Sequence, residues 1–548
     1  MTKKSSKILA CLFALLMLIS IIPLSVSADE TEGDYTYYVE NGYAYITSVN
    51  KDIMGKVEIP ATLGGYPVIF IKGGAFADCL SITEITIPDS VETLGNQYPG
   101  VFSGCTKLSK VNFGTGLVTI GEYAFHECSA LREVTIPDSV KTIKKYAFAG
   151  CTRITDVTLG ANVELLEYSA FGDCENLETV TFGDGLKTLG ERAFEYCHSL
   201  SKINFGANLE VIGDNTFREC TSLKEIVIPD SVKSIKTMAF YESGLENVVL
   251  GNSVETIGEE AFCNITTLKS INIPDSVKSL GYGGFRGTEA LETITIGAGV
   301  ERIDTSCFSG SGIRELYLGD NVKTIDSSAF KYCSNLTYID FGKSLKTICS
   351  TAFEYCTSLV YLSIPDTVTT IEDDAFRWCK ALKIVNIGEG MNSIGGYAFN
   401  GCNVLETVNL KSVTEIGNRT FLNCESLKRI YLPDTFQSVS YSAFEGCDKL
   451  SDVYYAGTEK DWSYIVINDG NEPLLGIAPK FEFSFTPEAG DVNYDNSLNV
   501  KDATATQKHL ADLGVFDKDT QVLADFNGDT KLSIKDATAI QKNIAGIS

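Results

Sequence analysis

Cys128-Ser-Ala-Leu-Arg-Glu-Val-Thr-Ile-Pro-Asp-Ser-Val-Lys-Thr-Ile-Lys-Lys-Tyr-Ala-Phe148 is one copy of a unit that recurs along most of the 548-residue chain. The Phe that closes each copy forms a column from Phe76, Phe102 and Phe125 through Phe240 and Phe353 to Phe444, seventeen residues in all, stepping by 22 or 23 residues after a first step of 26. A unit this short cannot bury its own Leu, Ile and Phe positions, so neighbouring copies must stack and share one core.

Within the copy, Val134 and Ile136 alternate with Thr135, the period-2 pattern of a strand with two residues inward and one outward. Pro137-Asp138-Ser139 ends the strand, because Pro lacks the ladder donor and Asp and Ser favour turns. Leu131, Val140, Ile143, Ala147 and Phe148 complete the core. The pattern Cys-x-x-Leu-x-x-Val-x-Ile-Pro-Asp-Ser-Val-x-x-Ile-x-x-x-Ala-Phe resembles the BspA-like leucine-rich repeats of bacterial surface proteins over roughly residues 70 to 450. The resemblance implies an α/β-type but strand-rich repeat solenoid, right-handed, with a parallel sheet on one face.

Thirteen of the seventeen Cys stand three residues after the repeat Phe, from Cys79 and Cys105 to Cys447. Ser243, Ile265, Thr288 and Ser311 take the same phase in other copies, which marks a packing position rather than an obligate disulfide partner. Free, buried thiols are therefore expected.

The ends read differently. Lys3, Lys4 and Lys7 precede the apolar run from Ile8 to Pro23, and Val26-Ser27-Ala28 supplies small residues, so residues 1–28 read as a secretory signal peptide. A lipoprotein reading through Cys11 is weaker, since almost no apolar run precedes it. Residues 29–69 and 451–485, rich in Tyr and Trp, read as caps over the solenoid at 70–450, and 486–490 reads as a linker.

Residues 491–548 carry a separate duplication. Asp491, Asn493, Asp495, Ser497, Asn499 and Asp502 form one calcium-loop pattern, and Asp525, Asn527, Asp529, Lys531, Ser533 and Asp536 a second, with position 7 contributing its backbone carbonyl. Each loop runs into a helical stretch, 503–510 and 537–544. The pair resembles a type I dockerin, a small α-helical module. That resemblance implies two calcium ions and docking onto a cohesin of a cellulosome-type scaffoldin. It places the contacts at Val500, Lys501, Gln507 and Lys508, or symmetrically at Ile534, Lys535, Gln541 and Lys542. Asn496 and Thr530 replace the usual Gly at loop position 6, which weakens the second loop in particular.

A formal net charge of −26 with no basic patch argues against nucleic acid as partner. No second apolar run is long enough for a transmembrane segment. Three His residues, far apart, leave no material for His-based metal sites or catalytic dyads, so no catalytic residue is expected and the chain reads as no enzyme. The outward strand column is short and polar, including Asn386 and Asn409, as for a solvated sheet. Tyr338, Tyr361 and Ile384 line the neighbouring outward column as a departure from it, and Tyr338 and Tyr361 with Tyr317 and Asp340 of the column itself form the candidate ligand patch, for an unknown protein or polysaccharide. Tyr332, Tyr355 and Trp378 form another aromatic column, expected to pack edgewise. The resulting expectation is a secreted protein-binding or adhesion component held at a cell surface through the scaffold, or else a carbohydrate-binding accessory subunit of polysaccharide degradation.

Overall fold

A computed structural model describes residues 28–482. They divide into two compact units at Leu223/Lys224. Both units are built from the same coil.

In the first unit, the strands Glu133–Thr135, Asp156–Thr158, Thr179–Thr181 and Lys202–Asn204 pair in parallel without register slip, Val134 beside Val157 beside Val180 beside Ile203. Val134 and Ile136 are buried and Thr135 is exposed, so the period-2 reading of the strand holds. The ring centroids from Phe76 to Phe217 stack at 4.9 to 5.8 Å, one ring per coil. In the second unit the rings from Phe240 to Phe444 stack at 5.2 to 5.6 Å. Every Phe of the column is fully buried. At that spacing each ring removes its neighbours' faces from water, and the core becomes continuous although no coil has one of its own.

A second parallel ladder, which the sequence reading did not include, runs through two-residue strands. Thr119–Ile120, Thr142–Ile143 and Leu165–Leu166 pair in register in the first unit. Arg302–Ile303, Thr324–Ile325 and Thr347–Ile348 do so in the second.

The α/β label needs correction, because no helix closes the coil. Tyr146 and Gly150 have φ of 56° and 71°, and the same two phases are left-handed at Arg192 and Tyr196 and at Thr351 and Tyr355. Left-handed residues two before and two after the Phe break any α-helical run. The N–H groups of Tyr146, Phe148 and Gly150 donate instead to the carbonyls of Tyr168, Ala170 and Gly172 in the next coil, at 3.0, 2.8 and 3.0 Å. Backbone bonds that a helix would satisfy internally thus join successive coils. Among the described residues, the helices are the single turns Glu459–Trp462 and Glu472–Leu475.

Both ends close on strands. Tyr35–Glu40 and Tyr43–Val49 form an antiparallel pair, and the latter joins Tyr66–Ile71 in parallel, which in turn joins Thr93–Leu94 in the first coil. At the other end Asp452–Tyr455 pairs with Arg429–Leu432, and Val466–Ile467 with Ser438–Val439. Thr458 and Asp461 form a reciprocal capping box between them.

Candidate functional site

The strand face of the second unit changes character along its length. Its first outward residues, Val227, Val249, Asn272 and Thr295, are exposed. From Glu315–Tyr317 onward the face becomes aromatic. The Tyr317 and Tyr338 rings lie 5.6 Å apart and tilted by 51°, with Tyr317 registered against Asp340. The Tyr317 hydroxyl donates to Glu315 at 3.0 Å. Burial, reinforced by that carboxylate, pushes its pKa up to about 12, so the tyrosine stays a neutral donor over the physiological range.

The ladder is interrupted beside this pair. Tyr338–Asp340 ends one sheet and Tyr361–Ile364 begins another. Between them lies a cleft lined by Tyr338, Phe341, Tyr361 and Ser363, among others. Asn386 donates an Nδ2–H bond of 2.6 Å to the Tyr361 hydroxyl. The candidate residues Tyr317, Tyr338, Asp340 and Tyr361 therefore come together on one surface, all partly exposed, with Tyr338 and Tyr361 both lining the cleft.

Beyond the cleft, the expectation of a solvated polar column fails. Asn386, Asn409 and Tyr431 occupy the outward phase yet are buried, and so is Thr407. No signal in the sequence distinguishes these Asn residues from the exposed Asn272.

Tyr332, Tyr355 and Trp378 stack face to face rather than edgewise, with interplanar angles of 19° and 16°. All three have positive φ, on the turn side of the coil. Lys331 lies 5.2 Å from the Tyr332 ring centre and Arg377 5.9 Å from that of Trp378. The rings pack on one another, but the column is only partly buried, with Tyr332 53% exposed.

The Cys column is packed as its periodicity requires. The Cys151 thiol donates to the Phe125 carbonyl at 3.1 Å and Cys356 to Phe330 at 3.3 Å, one coil back in each case. Burial pushes the Cys105, Cys174, Cys333 and Cys402 thiols up to about 12, which makes them poor nucleophiles. The two described His residues serve the turn side: His126 packs edge-on against Tyr123, and His198 Nδ1 lies 3.0 Å from the Glu219 carbonyl. Among the described residues, no group of three or more His, Cys, Asp or Glu is placed to hold a metal, and no helix is long and apolar enough to cross a membrane. The calcium-loop and cohesin-contact residues from Asp491 to Lys542 lie outside the described residues.

A stacked coil with two parallel ladders, a Phe spine and a modified strand face defines a leucine-rich repeat protein. Overlapping matches over residues 69–201, 153–269, 187–314, 233–360 and 346–466 show that the chain belongs to the family described as BspA type leucine rich repeat region. Among solved structures it is similar to a leucine-rich repeat protein from Bacteroides ovatus, 28% identical, with a TM-score of 0.59, covering 78% of this chain and 100% of that one. It is also similar to the T. pallidum leucine rich repeat protein, 30% identical over 36% of this chain and 91% of that one, TM-score 0.33. A third is a leucine rich cell surface protein from Faecalibacterium prausnitzii, 23% identical over 81% and 99% of the two chains, TM-score 0.29. Among curated proteins none matches the sequence.

Proposed function

We propose that this chain is an exported, non-catalytic binding protein whose second-unit strand face holds a protein partner, and whose residues 491–548 attach it through calcium to a cohesin of a cellulosome-type scaffold. The observation that carries the binding part is the convergence of Tyr317, Tyr338 and Tyr361 around the break between two sheets. A partly exposed aromatic cluster with buried polar neighbours is the composition of an interface hot spot. The attachment part rests on the duplicated calcium loops, with export following from residues 1–28 as a signal peptide.

The same tyrosines flanking an open cleft also suit stacking on a sugar, which keeps a polysaccharide ligand as the second reading. The test is a binding scan of the full chain against plant polysaccharides and against scaffold and host proteins. Tyr338→Ala combined with Tyr361→Ala should weaken the true ligand at least tenfold, equivalent to about 1.4 kcal/mol or more. A ligand bound equally well by this double variant removes the patch as its site.

A further inference from the structure

We infer that the second unit holds one neutral sugar residue on its turn side, in the slot between Asn264 and the free end of the stack Tyr332, Tyr355 and Trp378. The inference uses none of the strand-face residues and stands apart from the preceding reading.

The stack has one closed end and one open end. The N–H groups of Gly287, Gly310, Tyr332, Tyr355 and Trp378 donate to the carbonyls of Ser309, Lys331, Glu354, Arg377 and Asn400, each one coil on, so the five donors share one phase. The Phe rings of their coils lie 5.2 or 5.3 Å apart. Tyr332 stacks on Tyr355 at 5.1 Å, and Gly401 closes the stack behind Trp378. On the other side of Tyr332 the phase is held by Gly310 and Gly287, which carry no side chain. A Cβ built on Gly310 would meet nothing nearer than the Gly287 nitrogen at 4.0 Å. The Lys331 ammonium, 5.2 Å from the Tyr332 ring centre, is bonded at 2.7 Å to Glu354 in the following coil, away from Gly310. The Tyr332 face towards Gly310 is thus open, in keeping with the 53% exposure of the residue. In the first unit the comparable stacked pair Tyr123 and Tyr146 is covered edge-on at its two ends by Tyr98 and Tyr168.

The slot is one ring deep. A flat group stacked on Tyr332 at about 5 Å would lie over Gly310. One coil further, Asn264 overhangs Gly287, its Oδ1 lying 2.6 Å from the place of a Cβ there. Asn264 Nδ2 donates to the Tyr241 hydroxyl at 3.0 Å and to Glu242 at 3.3 Å, which leaves Oδ1 as the acceptor facing the slot.

The chemistry selects the occupant. An aromatic face is the negative part of the ring's quadrupole and attracts the weakly positive C–H bonds on one side of a pyranose. The rim is polar: Asn264 Oδ1 accepts, and Ser309, the partly exposed residue before Gly310, supplies a hydroxyl. An aromatic side chain would set its apolar edge against that rim, and a nucleotide would bring phosphate to a chain of formal charge −26. Lys331 and Arg286, next in sequence to Tyr332 and Gly287, are already paired with Glu354 and Glu260, so neither offers a uronate a free cation. With Asn264 and Tyr332 closing its two ends, the slot takes a single residue, reached as a chain end or a branch.

The test titrates the full chain with methyl glycosides of glucose, galactose, mannose and xylose, and with galacturonate and indole, read by saturation-transfer NMR. At least one neutral glycoside should bind, with transfer concentrated on the C–H protons of one ring face. Tyr332→Ala and Gly310→Asn should each weaken it about tenfold or more, and Tyr332→Phe by no more than about twofold. Gly310→Asn fills the slot without breaking the coil, since Asn264 and Asn423 hold the same phase at φ of 58° and 59°. Tyr338→Ala with Tyr361→Ala should leave binding unchanged, which separates this site from the strand face. Failure of every neutral glycoside to bind, binding indifferent to Tyr332→Ala or Gly310→Asn, loss through the strand-face double variant, or tighter binding of galacturonate or indole would each overturn the inference.

Discussion

Gly401 lies directly against the indole of Trp378, so close that a Cβ there would overlap the ring, and its φ is +74°. One coil's bare backbone is thus the last plate of the stack Tyr332, Tyr355 and Trp378. Gly401→Ala should destabilise the second unit by about 1–3 kcal/mol, through left-handed strain and overpacking together. Combining it with Trp378→Ala should cost less than the two single changes summed, because the clash disappears. Urea unfolding of the four proteins gives the comparison directly.

High pH should unfold the coils through their thiols. A pKa raised on folding, from about 8.5 towards 12, adds stability that is complete below about pH 8.5 and is lost as pH rises through the folded value. One unit above the unfolded pKa, each such thiol withdraws about 1.4 kcal/mol. Urea midpoints should fall steeply from about pH 9 upward. Cys174→Ala, somewhat weaker at neutral pH, should flatten that fall by one proton. A midpoint level from pH 8 to 11 would refute the linkage.

Asp138 was read as a turn residue, and in the fold its Oδ1 accepts from the Ala161 N–H in the next coil at 2.7 Å. Asp230 and Asp275 do the same with Asn252 and Ala298. Asp138→Ala should therefore cost about 1 kcal/mol, and Asp138→Asn, which keeps an acceptor, less. Thr158→Ala, on the open strand face, should be near neutral. Chemical denaturation of these variants separates the two roles.

Calcium removal should act on one end only. On the proposed calcium-loop reading, the carboxylates of Asp491, Asp495, Asp502, Asp525, Asp529 and Asp536 would repel one another until a cation neutralises them, whereas among the described residues no comparable group is placed to hold a metal. Chelation should abolish cohesin binding and leave the main thermal transition in place. Charge reversal at Lys501 and Lys508 should weaken cohesin binding less than reversal of these two with Lys535 and Lys542. Binding assays in calcium and in chelator check both statements.

Positions that repeat with one chemistry were readable from the chain. The Phe and Cys columns and the Val134/Ile136 phase follow from apolar periodicity, and they place the core correctly. Thr142–Ile143 was missed as a strand because two residues carry no period of their own. The left-handed positions were missed because Tyr146, Arg192 and Thr351 share no residue type; their conformation is imposed by bonds to the next coil, at a cost of about 1 kcal/mol or more each. The tyrosine patch was legible as a departure from a polar column. The burial of Asn386 and Asn409 beyond it was not, since Asn is equally at home in solvent and in a buried position.

The in-register stacking of Phe125, Phe148 and Phe171 has a genetic corollary. Excision of residues 126–148 would set Phe125 next to Phe171 with both ladders still in phase, since within the column each ring stacks on the one before and the one after. Unequal crossing-over between neighbouring repeats can therefore shorten or lengthen the array by whole coils without any new interior having to be invented. Lineages carrying this gene should differ more readily in the number of coils than in the composition of any one of them.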